Sequence, residues 1–177
     1  MKNIIFVLWF VLLTVSSAFA AELKVGGKAP DFKLNDSAGK EYSLNVPQFK
    51  GKVLYIAYVD PDEKDTNNHV EEALKKEQGS GALDKAHYES FWIVNLKATA
   101  KPNFLIKSHL KSKQKKTGST IILDPDYTIL NMWGMENDSS DVVVLDKNLI
   151  CRYVHNGKLS PEEVVKMIKI IKEYQGK

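Results

Sequence analysis

Residues 51–69 read GKVLYIAYVDPDEKDTNNH and join an apolar run to a loop rich in acidic residues. The run at 53–59 mixes β-branched, aromatic and aliphatic residues with little alternation, which is typical of a strand buried on both faces. A helical pattern follows from about 65 to 78 and stops at Gly79. Many α/β proteins carry their functional site at such a corner between strand and helix.

Further strands and helices are predicted on both sides of this corner. Upstream, DSAG at 36–39 separates two alternating segments and predicts a β-hairpin. Downstream, the pattern predicts a buried strand at 90–96, a helix at 103–116, a strand at 119–123, a hairpin at 141–157 that turns at 146–148, and a helix at 160–174. This order predicts an α/β protein with a mixed central sheet between helices.

Residues 1–20 have the features of a cleavable signal peptide. Lys2 precedes a short apolar stretch, and Ala18, Phe19 and Ala20 form an A-x-A cleavage site. The stretch is shorter than the roughly 20 apolar residues that a membrane span needs. We therefore expect an exported, periplasmic protein with no membrane span after cleavage, in which residues 21–177 form a single domain.

Charge and cysteine content narrow the possible functions only slightly. The chain has 25 Lys and Arg against 22 Asp and Glu, a near balance that does not name a partner. Export argues against a role with nucleic acid. Because Cys151 is the single cysteine, the chain has no internal disulfide, although an exported compartment would permit one.

Several segments resemble one superfamily. GGKAPDFKLND (26–36) and FKGKVLYIAYV (49–59) resemble the opening of peroxiredoxin-like and membrane-anchored thioredoxin-like proteins, and GKLSPEEV (157–164) resembles the start of their last helix. SSDVVVLDKN (139–148) and IVNLKA (93–98), with the predicted signal peptide, are similar to the small periplasmic YtfJ family. The resemblance implies a three-layer thioredoxin-like fold with an N-terminal β-hairpin and a C-terminal helix, and it implies no established reaction.

The chain departs from the redox members of that superfamily at the corner after the first core strand. Those relatives place a cysteine at the first turn of the helix, where the helix dipole lowers the pKa of a thiol. Here Asp62, Glu63, Lys64, Asp65 and Thr66 occupy the region, without a C-x-x-C or Thr-x-x-Cys motif. We interpret the acids as caps that stabilise the amino end of the helix.

A second departure concerns the cis-proline that thioredoxin-like proteins carry beside the reactive thiol. In this chain the position falls on Ser140. A cis bond before a residue other than proline costs about 2.5–4 kcal/mol, so we expect a trans peptide there. Both parts of the redox apparatus are therefore predicted to be absent.

Neither a metal nor another cofactor is predicted. Asp60, Asp62, Asp65 and His69 offer oxygen and nitrogen ligands, but Lys64 stands where a calcium loop needs a ligand. The four histidines of the chain lack the paired spacing of zinc ligands. We interpret them as surface residues.

The predicted helix at 103–116 combines apolar and basic residues. Phe104, Ile106 and Leu110 are expected to face the core, and five lysines between 107 and 116 make a basic face. A solvated surface explains such a face most simply, and contact with an anionic surface is the alternative.

Cys151 lies in the middle of a predicted strand, where a small apolar side chain packs readily. The simplest interpretation is a buried, inert thiol. Arg152 points to the opposite face of the strand and would not activate it. An unpaired cysteine in an oxidising compartment is nevertheless a candidate for an intermolecular disulfide, so Cys151 is the alternative catalytic candidate.

Two classes of function follow from these observations. The first is a non-catalytic binding or accessory module that holds a peptide or an envelope protein in the groove where its relatives do chemistry. The residues predicted to form that groove are Asp62, Glu63, Asp65, Thr66, Trp133, Ser139 and Ser140. For Trp133 the alternative is packing into the core. The second class is an oxidoreductase that acts through Cys151 or through a thiol of a partner.

The mature exported protein is predicted to begin at Ala21, because the A-x-A triplet ends at Ala20. Intact-mass measurement of the protein recovered from the exporting cell checks this. Retention of residues 1–20 would contradict cleavage and indicate an anchor instead.

Overall fold

The computed structural model describes residues 22–176, so the predicted signal peptide lies outside the described residues. The strands are β1 (Leu34–Asp36), β2 (Glu41–Tyr42), β3 (Val53–Val59), β4 (Tyr88–Asn95), β5 (Thr120–Asp124), β6 (Ser140–Leu145) and β7 (Cys151–His155). The helices are α1 (Asn68–Gly79), α2 (Asn103–Thr117), α3 (Thr128–Trp133) and α4 (Pro161–Gln175). None of these helices is both long and apolar enough to span a membrane.

All seven strands form one mixed sheet in the order β2-β1-β5-β4-β3-β6-β7. Strand β3 pairs in parallel with β4 and antiparallel with β6, and Ala57 is the partner of both Trp92 and Val142. Every residue of β3 is buried, which confirms the prediction of a strand covered on both faces. Both predicted hairpins are also present, as β1–β2 and β6–β7.

Helices and the N-terminal segment cover the two faces of the sheet. Tyr55, Ala57 and Val59 pack on the face that carries α1 and α4, while Ile106 and Leu110 of α2 pack on β4 and β5. Alternate residues of β3 pack with α3 and the N-terminal segment on the opposite face. The sheet therefore lies between two layers, as the sequence predicts for this α/β fold.

Helix α2 differs from its prediction at one residue that was expected to be buried. Ile106 and Leu110 are buried, but the side chain of Phe104 is 70% exposed. Phe104 precedes Ile106 by two residues, and at about 100° per residue it points away from the sheet. The expectation that Phe104 faces the core is therefore wrong.

Helix α3 is the short helix that accompanies the core-packing alternative for Trp133. It buries Trp133 completely against Phe32, with ring centroids 6.0 Å apart. The Trp133 indole N–H donates to the carbonyl of Pro30 at 3.0 Å. Of the two alternatives for Trp133, packing into the core is the one observed.

Candidate functional site

The candidate site lies at the edge of the sheet where the parallel strands β3, β4 and β5 end. Asp60 follows β3, while Asn95 and Asp124 are the last residues of β4 and β5. These three polar side chains are at most 1% exposed. Parallel strands bring their carboxyl ends to one edge, so residues distant in sequence meet here.

Asp60 joins the loop after β3 to the loop before β6. Its backbone N–H donates to the carbonyl of Ser139 at 3.0 Å, and its Oδ2 accepts from the Ser139 N–H at 2.9 Å. The loops at 60–66 and 137–140 therefore lie side by side, as expected for this fold. Asp60 Oδ1 is buried without a hydrogen-bond partner among residues 22–176. Burial raises the pKa of Asp60 to about 6, although the Ser139 hydrogen bond opposes that shift.

Asp141 holds the second loop in place. Its carboxylate accepts hydrogen bonds from Ser139 Oγ at 2.5 Å, Glu136 N at 2.7 Å and Gly157 N at 2.9 Å. Burial raises the pKa of Asp141, and these hydrogen bonds work against the shift. Ser139 is thus bonded through both its side chain and its backbone, which leaves little freedom in the loop.

Asn67 fixes the start of α1. Its Nδ2 donates to the carbonyls of Ser140 at 2.8 Å and Gly157 at 3.0 Å, and its Oδ1 accepts from Leu159 N at 3.0 Å. The described residues contain no cis peptide bond, so the expected trans peptide at Ser140 is confirmed. Asn67 thus makes polar contacts across the edge close to where the redox relatives place their thiol. No local sequence signal distinguishes Asn67, because an asparagine before a helix is also typical of an ordinary cap.

The acids after β3 do not cap α1. Asp62 is paired with Lys101 and Asp65 with Lys64, and these lysines lower the pKa of the two carboxylates. No side chain caps the helix by a hydrogen bond to its N–H groups. The capping interpretation is therefore wrong. The chain turns at 60–66 before α1 begins at Asn68, so the acids face solvent and neighbouring lysines.

Loops 60–66 and 136–139 form a surface that we call the acidic edge. It consists of Asp62, Glu63, Asp65, Glu136 and Asp138. Glu63 is half-buried, as is Thr66, whose hydroxyl donates to Glu63 Oε2 at 2.6 Å. Ser139 and Ser140 lie beneath this surface and are buried. The structure therefore brings the predicted groove residues of both loops together, with the two serines as support.

Trp133, the one apolar residue predicted for the groove, does not reach the surface. Trp133 is fully buried and Met135 is 5% exposed, so neither side chain can contact a partner. The chain turns at Tyr127, which has a left-handed backbone conformation, and both side chains then pack in the core beneath the sheet. The proposed role of Trp133 as a surface anchor is therefore wrong.

An apolar cleft instead opens on the other side of the 60–66 loop, between that loop and α2. We call it the α2 cleft. Its volume is about 270 Å³, and its lining residues are Val59, Pro61, Lys64, Trp92, Val94, Lys101, Leu105, Ile106, His109, Leu110 and Lys113. These residues come from four separate segments, so no local sequence pattern predicts the cleft.

The four residues weighed as metal ligands do not converge. Asp60 bonds to Ser139, Asp62 and Asp65 to lysines, and His69 Nε2 lies 3.0 Å from the carbonyl of Leu159. Within the described part of the chain no group of three His, Cys, Asp or Glu side chains is arranged to hold a metal ion.

Cys151 lies far from this edge. Its side chain is fully buried, and burial raises the pKa of the thiol to about 11. Cys151 pairs with Leu145, at the opposite end of β6 from Ser140. At about 3.4 Å per residue the separation along the strand is about 17 Å.

The fold defines the class of the protein. The exposed lipoprotein thioredoxin Etrx1 of Streptococcus pneumoniae strain TIGR4 superposes with a TM-score of 0.57 at 18% identity, covering 79% of this chain and 98% of the other. Chloroplastic peroxiredoxin Q of Suaeda salsa is 27% identical over 83% of this chain and 66% of its own length. The chain therefore has a thioredoxin-like α/β fold, and its sequence is similar to that of a peroxiredoxin.

Within that class, residues 24–174 match the family model described as "Bacterial protein of unknown function (YtfJ_HI0045)". The protein YtfJ of Escherichia coli (strain K12) is 28% identical over 92% of both chains. The chain belongs to the YtfJ_HI0045 family, as its sequence motifs indicated.

Asp60→Asn is predicted to stabilise the protein above pH 7. The native state binds the Asp60 proton more tightly than the unfolded chain does, so stability is lost as pH rises from about 4 to about 6. Asparagine removes the buried charge and keeps an acceptor for Ser139 N–H. We expect the variant to be about 1–3 kcal/mol more stable at pH 7.5, with the advantage shrinking by about 2 kcal/mol at pH 4.

Urea unfolding of both proteins at several pH values measures this difference. Asp126→Asn is the matched control, because it removes the same charge from an exposed side chain. A difference for Asp60→Asn that stays constant from pH 4 to 8 would contradict the burial of an ionisable carboxylate at this edge.

Proposed function

We propose that the protein is an exported, non-catalytic binding module that uses the acidic edge to hold an envelope protein or peptide. The observation that carries the proposal is that the loops at 60–66 and 136–139 are held rigidly together and contain no cysteine. Asp60, Asn67 and Asp141 bond the two loops to each other and to the 157–159 segment. Such an edge is preorganised, which reduces the entropic cost of binding.

The charges of the acidic edge favour a partner with basic or amide donor groups. Asp62 and Asp65 already pair with lysines, whereas Glu136 and Asp138 are exposed at the neighbouring loop. Carboxylates at an exposed rim chiefly select partners and speed association. This role agrees with a shallow surface that recognises a protein and not with a deep substrate pocket.

Export follows from the signal-peptide pattern at 1–20 and remains part of the proposal. A lone cysteine that is buried also suits an oxidising compartment, because it is shielded from unwanted disulfide formation.

Charge reversal at the acidic edge is predicted to weaken partner capture. A photo-crosslinker placed at Asn137, which is exposed beside the edge, would report contact in intact cells. Replacing Glu63 and Asp65 together by lysine should lower the crosslinked product about tenfold, since the changes reverse the charge at both positions and remove most of the negative charge of the edge. Thermal unfolding should stay close to wild type because Asp65 is exposed and Glu63 only half-buried.

Glu41→Lys with Glu72→Lys is the matched control, because both glutamates are exposed outside the edge and the net charge changes equally. Capture that survives the edge variant, or that the control weakens equally, would contradict binding at the acidic edge. Trp133→Ala is unsuitable as a surface variant, since loss of a fully buried tryptophan costs about 3–5 kcal/mol.

A thiol-dependent oxidoreductase is the second candidate function. It is favoured by the similarity to peroxiredoxin Q and to the thioredoxin Etrx1. Any such activity would use Cys151 or a thiol supplied by a partner. Burial and the raised pKa of Cys151 oppose the first route, because the thiolate is the reactive form.

Purified protein is predicted neither to reduce insulin disulfides nor to consume peroxide above a blank. Cys151 should also resist a thiol reagent in the native protein and react only after denaturation, because its side chain is fully buried. Turnover that Cys151→Ser abolishes would establish the oxidoreductase instead.

A further inference from the structure

The α2 cleft differs from the acidic edge in the chemistry of its walls. Val59, Val94, Ile106 and Leu110 make it apolar, and half-buried Trp92 lies among them. The Trp92 indole N–H donates to Glu71 Oε1 at 3.2 Å, which holds the ring in place. The cleft volume of about 270 Å³ lies near the roughly 300 Å³ at which small-molecule pockets begin, which suits an apolar chain.

The polar lining groups of the cleft are cationic or imidazole side chains. They are Lys64, Lys101, His109 and Lys113, and no carboxylate lines the cleft. A peptide backbone laid in the cleft could offer its carbonyls to the lysines, but its N–H groups would find no carboxylate acceptor among the lining side chains. A head group that only accepts hydrogen bonds and carries negative charge fits this lining.

Lys113 is the cation best placed to meet such a head group. Its Nζ lies 3.6 Å from the centroid of the Trp92 ring, at the wall of the cleft. Lys64 and Lys101 pair with Asp65 and Asp62, whereas Lys113 forms no ion pair with a carboxylate of the described residues. Burial lowers the pKa of Lys113, so an anion in the cleft would stabilise its charged form.

Charge and exposure along α2 agree with an anionic ligand. The helix contains five lysines and no acidic residue. At its amino end Phe104 is 70% exposed and Leu105 54% exposed, and Leu105 borders the cleft. Exposed apolar side chains beside unpaired cations are the surface that an amphiphile with an anionic head would cover.

We propose that the α2 cleft binds a single-chain anionic amphiphile, with the apolar chain against Trp92, Leu105 and Leu110 and the head group at Lys113. The site is separate from the acidic edge and does not depend on the proposed protein partner. The chain displaces water from apolar walls, and the head supplies the carboxylate that Lys113 lacks.

Decanoate is the probe, and hexanoate, decanol and decyltrimethylammonium are its controls for chain length and charge. Titration by calorimetry below the micellar concentration gives affinities, and NMR shifts of the Trp92 indole locate the ligand. We expect decanoate to bind at least about tenfold more tightly than hexanoate, since each buried methylene contributes up to about fourfold. The cationic amphiphile should bind at least about tenfold more weakly than decanoate. The Trp133 indole should not shift, because it is buried and bonded to Pro30.

Two variants with matched controls test the lining. Leu105→Asp should weaken decanoate at least about tenfold, and Val165→Asp, at a 69% exposed site on α4, should not weaken it. Lys113→Gln should weaken decanoate about threefold to tenfold but leave decanol unchanged. Lys111→Gln, on the same helix outside the cleft, should stay within about twofold. All four positions are exposed or half-buried, and thermal unfolding verifies that each variant folds.

Equal binding of decanoate and the cationic amphiphile, an unmoved Trp92 indole, or unchanged affinity in Leu105→Asp would overturn the proposal. Binding to phosphatidylglycerol vesicles that Lys111→Gln and Lys113→Gln weaken equally would also overturn it. That result would assign the basic face of α2 to a membrane surface. Because none of these measurements involves the acidic edge, failure here leaves the proposed function untouched, and the converse also holds.

Discussion

Strand β3 pairs along both of its edges while both of its faces are buried, and this constraint sets the positions of the other elements. All seven of its residues are buried, and its neighbours run parallel on one side and antiparallel on the other. A strand in this position cannot leave a backbone polar group unpaired without a cost of about 1–3 kcal/mol. Its carboxyl end therefore forms a rigid corner that positions Asp60 against the loop before β6.

Buried polar groups, and not a reactive thiol, organise that corner. Asp60 and Asn67 connect segments more than seventy residues apart in sequence, and Asp141 bonds the loop before β6 to Gly157. Burying carboxylates costs stability unless their hydrogen bonds compensate, and Asp60 Oδ1 remains without a partner among the described residues. Burial of these carboxylates thus lowers the stability of the fold, while their hydrogen bonds fix the geometry of the loops. Functional sites often combine these two effects.

The two sides of the 60–66 loop have opposite chemical character. The acidic edge presents carboxylates, while the α2 cleft combines apolar walls with lysines. Ion pairs from Lys64 and Lys101 to Asp65 and Asp62 cross the boundary between them. Exposed pairs of this kind contribute about 0–1 kcal/mol each, so their main effect is to separate the two surfaces by charge.

Residue patterns correctly predict the α/β class, the strand buried on both faces, the two hairpins, the trans peptide at Ser140 and the burial of Cys151. These follow from local pattern, from residue type and from the resemblance to a family. The folded chain is needed to establish that Trp133 is buried, that Phe104 is exposed, that lysines pair with the acids at 62 and 65, and that Trp92 contacts Lys113 in a cleft. Side chains from separate segments make these contacts, and periodicity reports only which face of its own helix or strand a residue occupies.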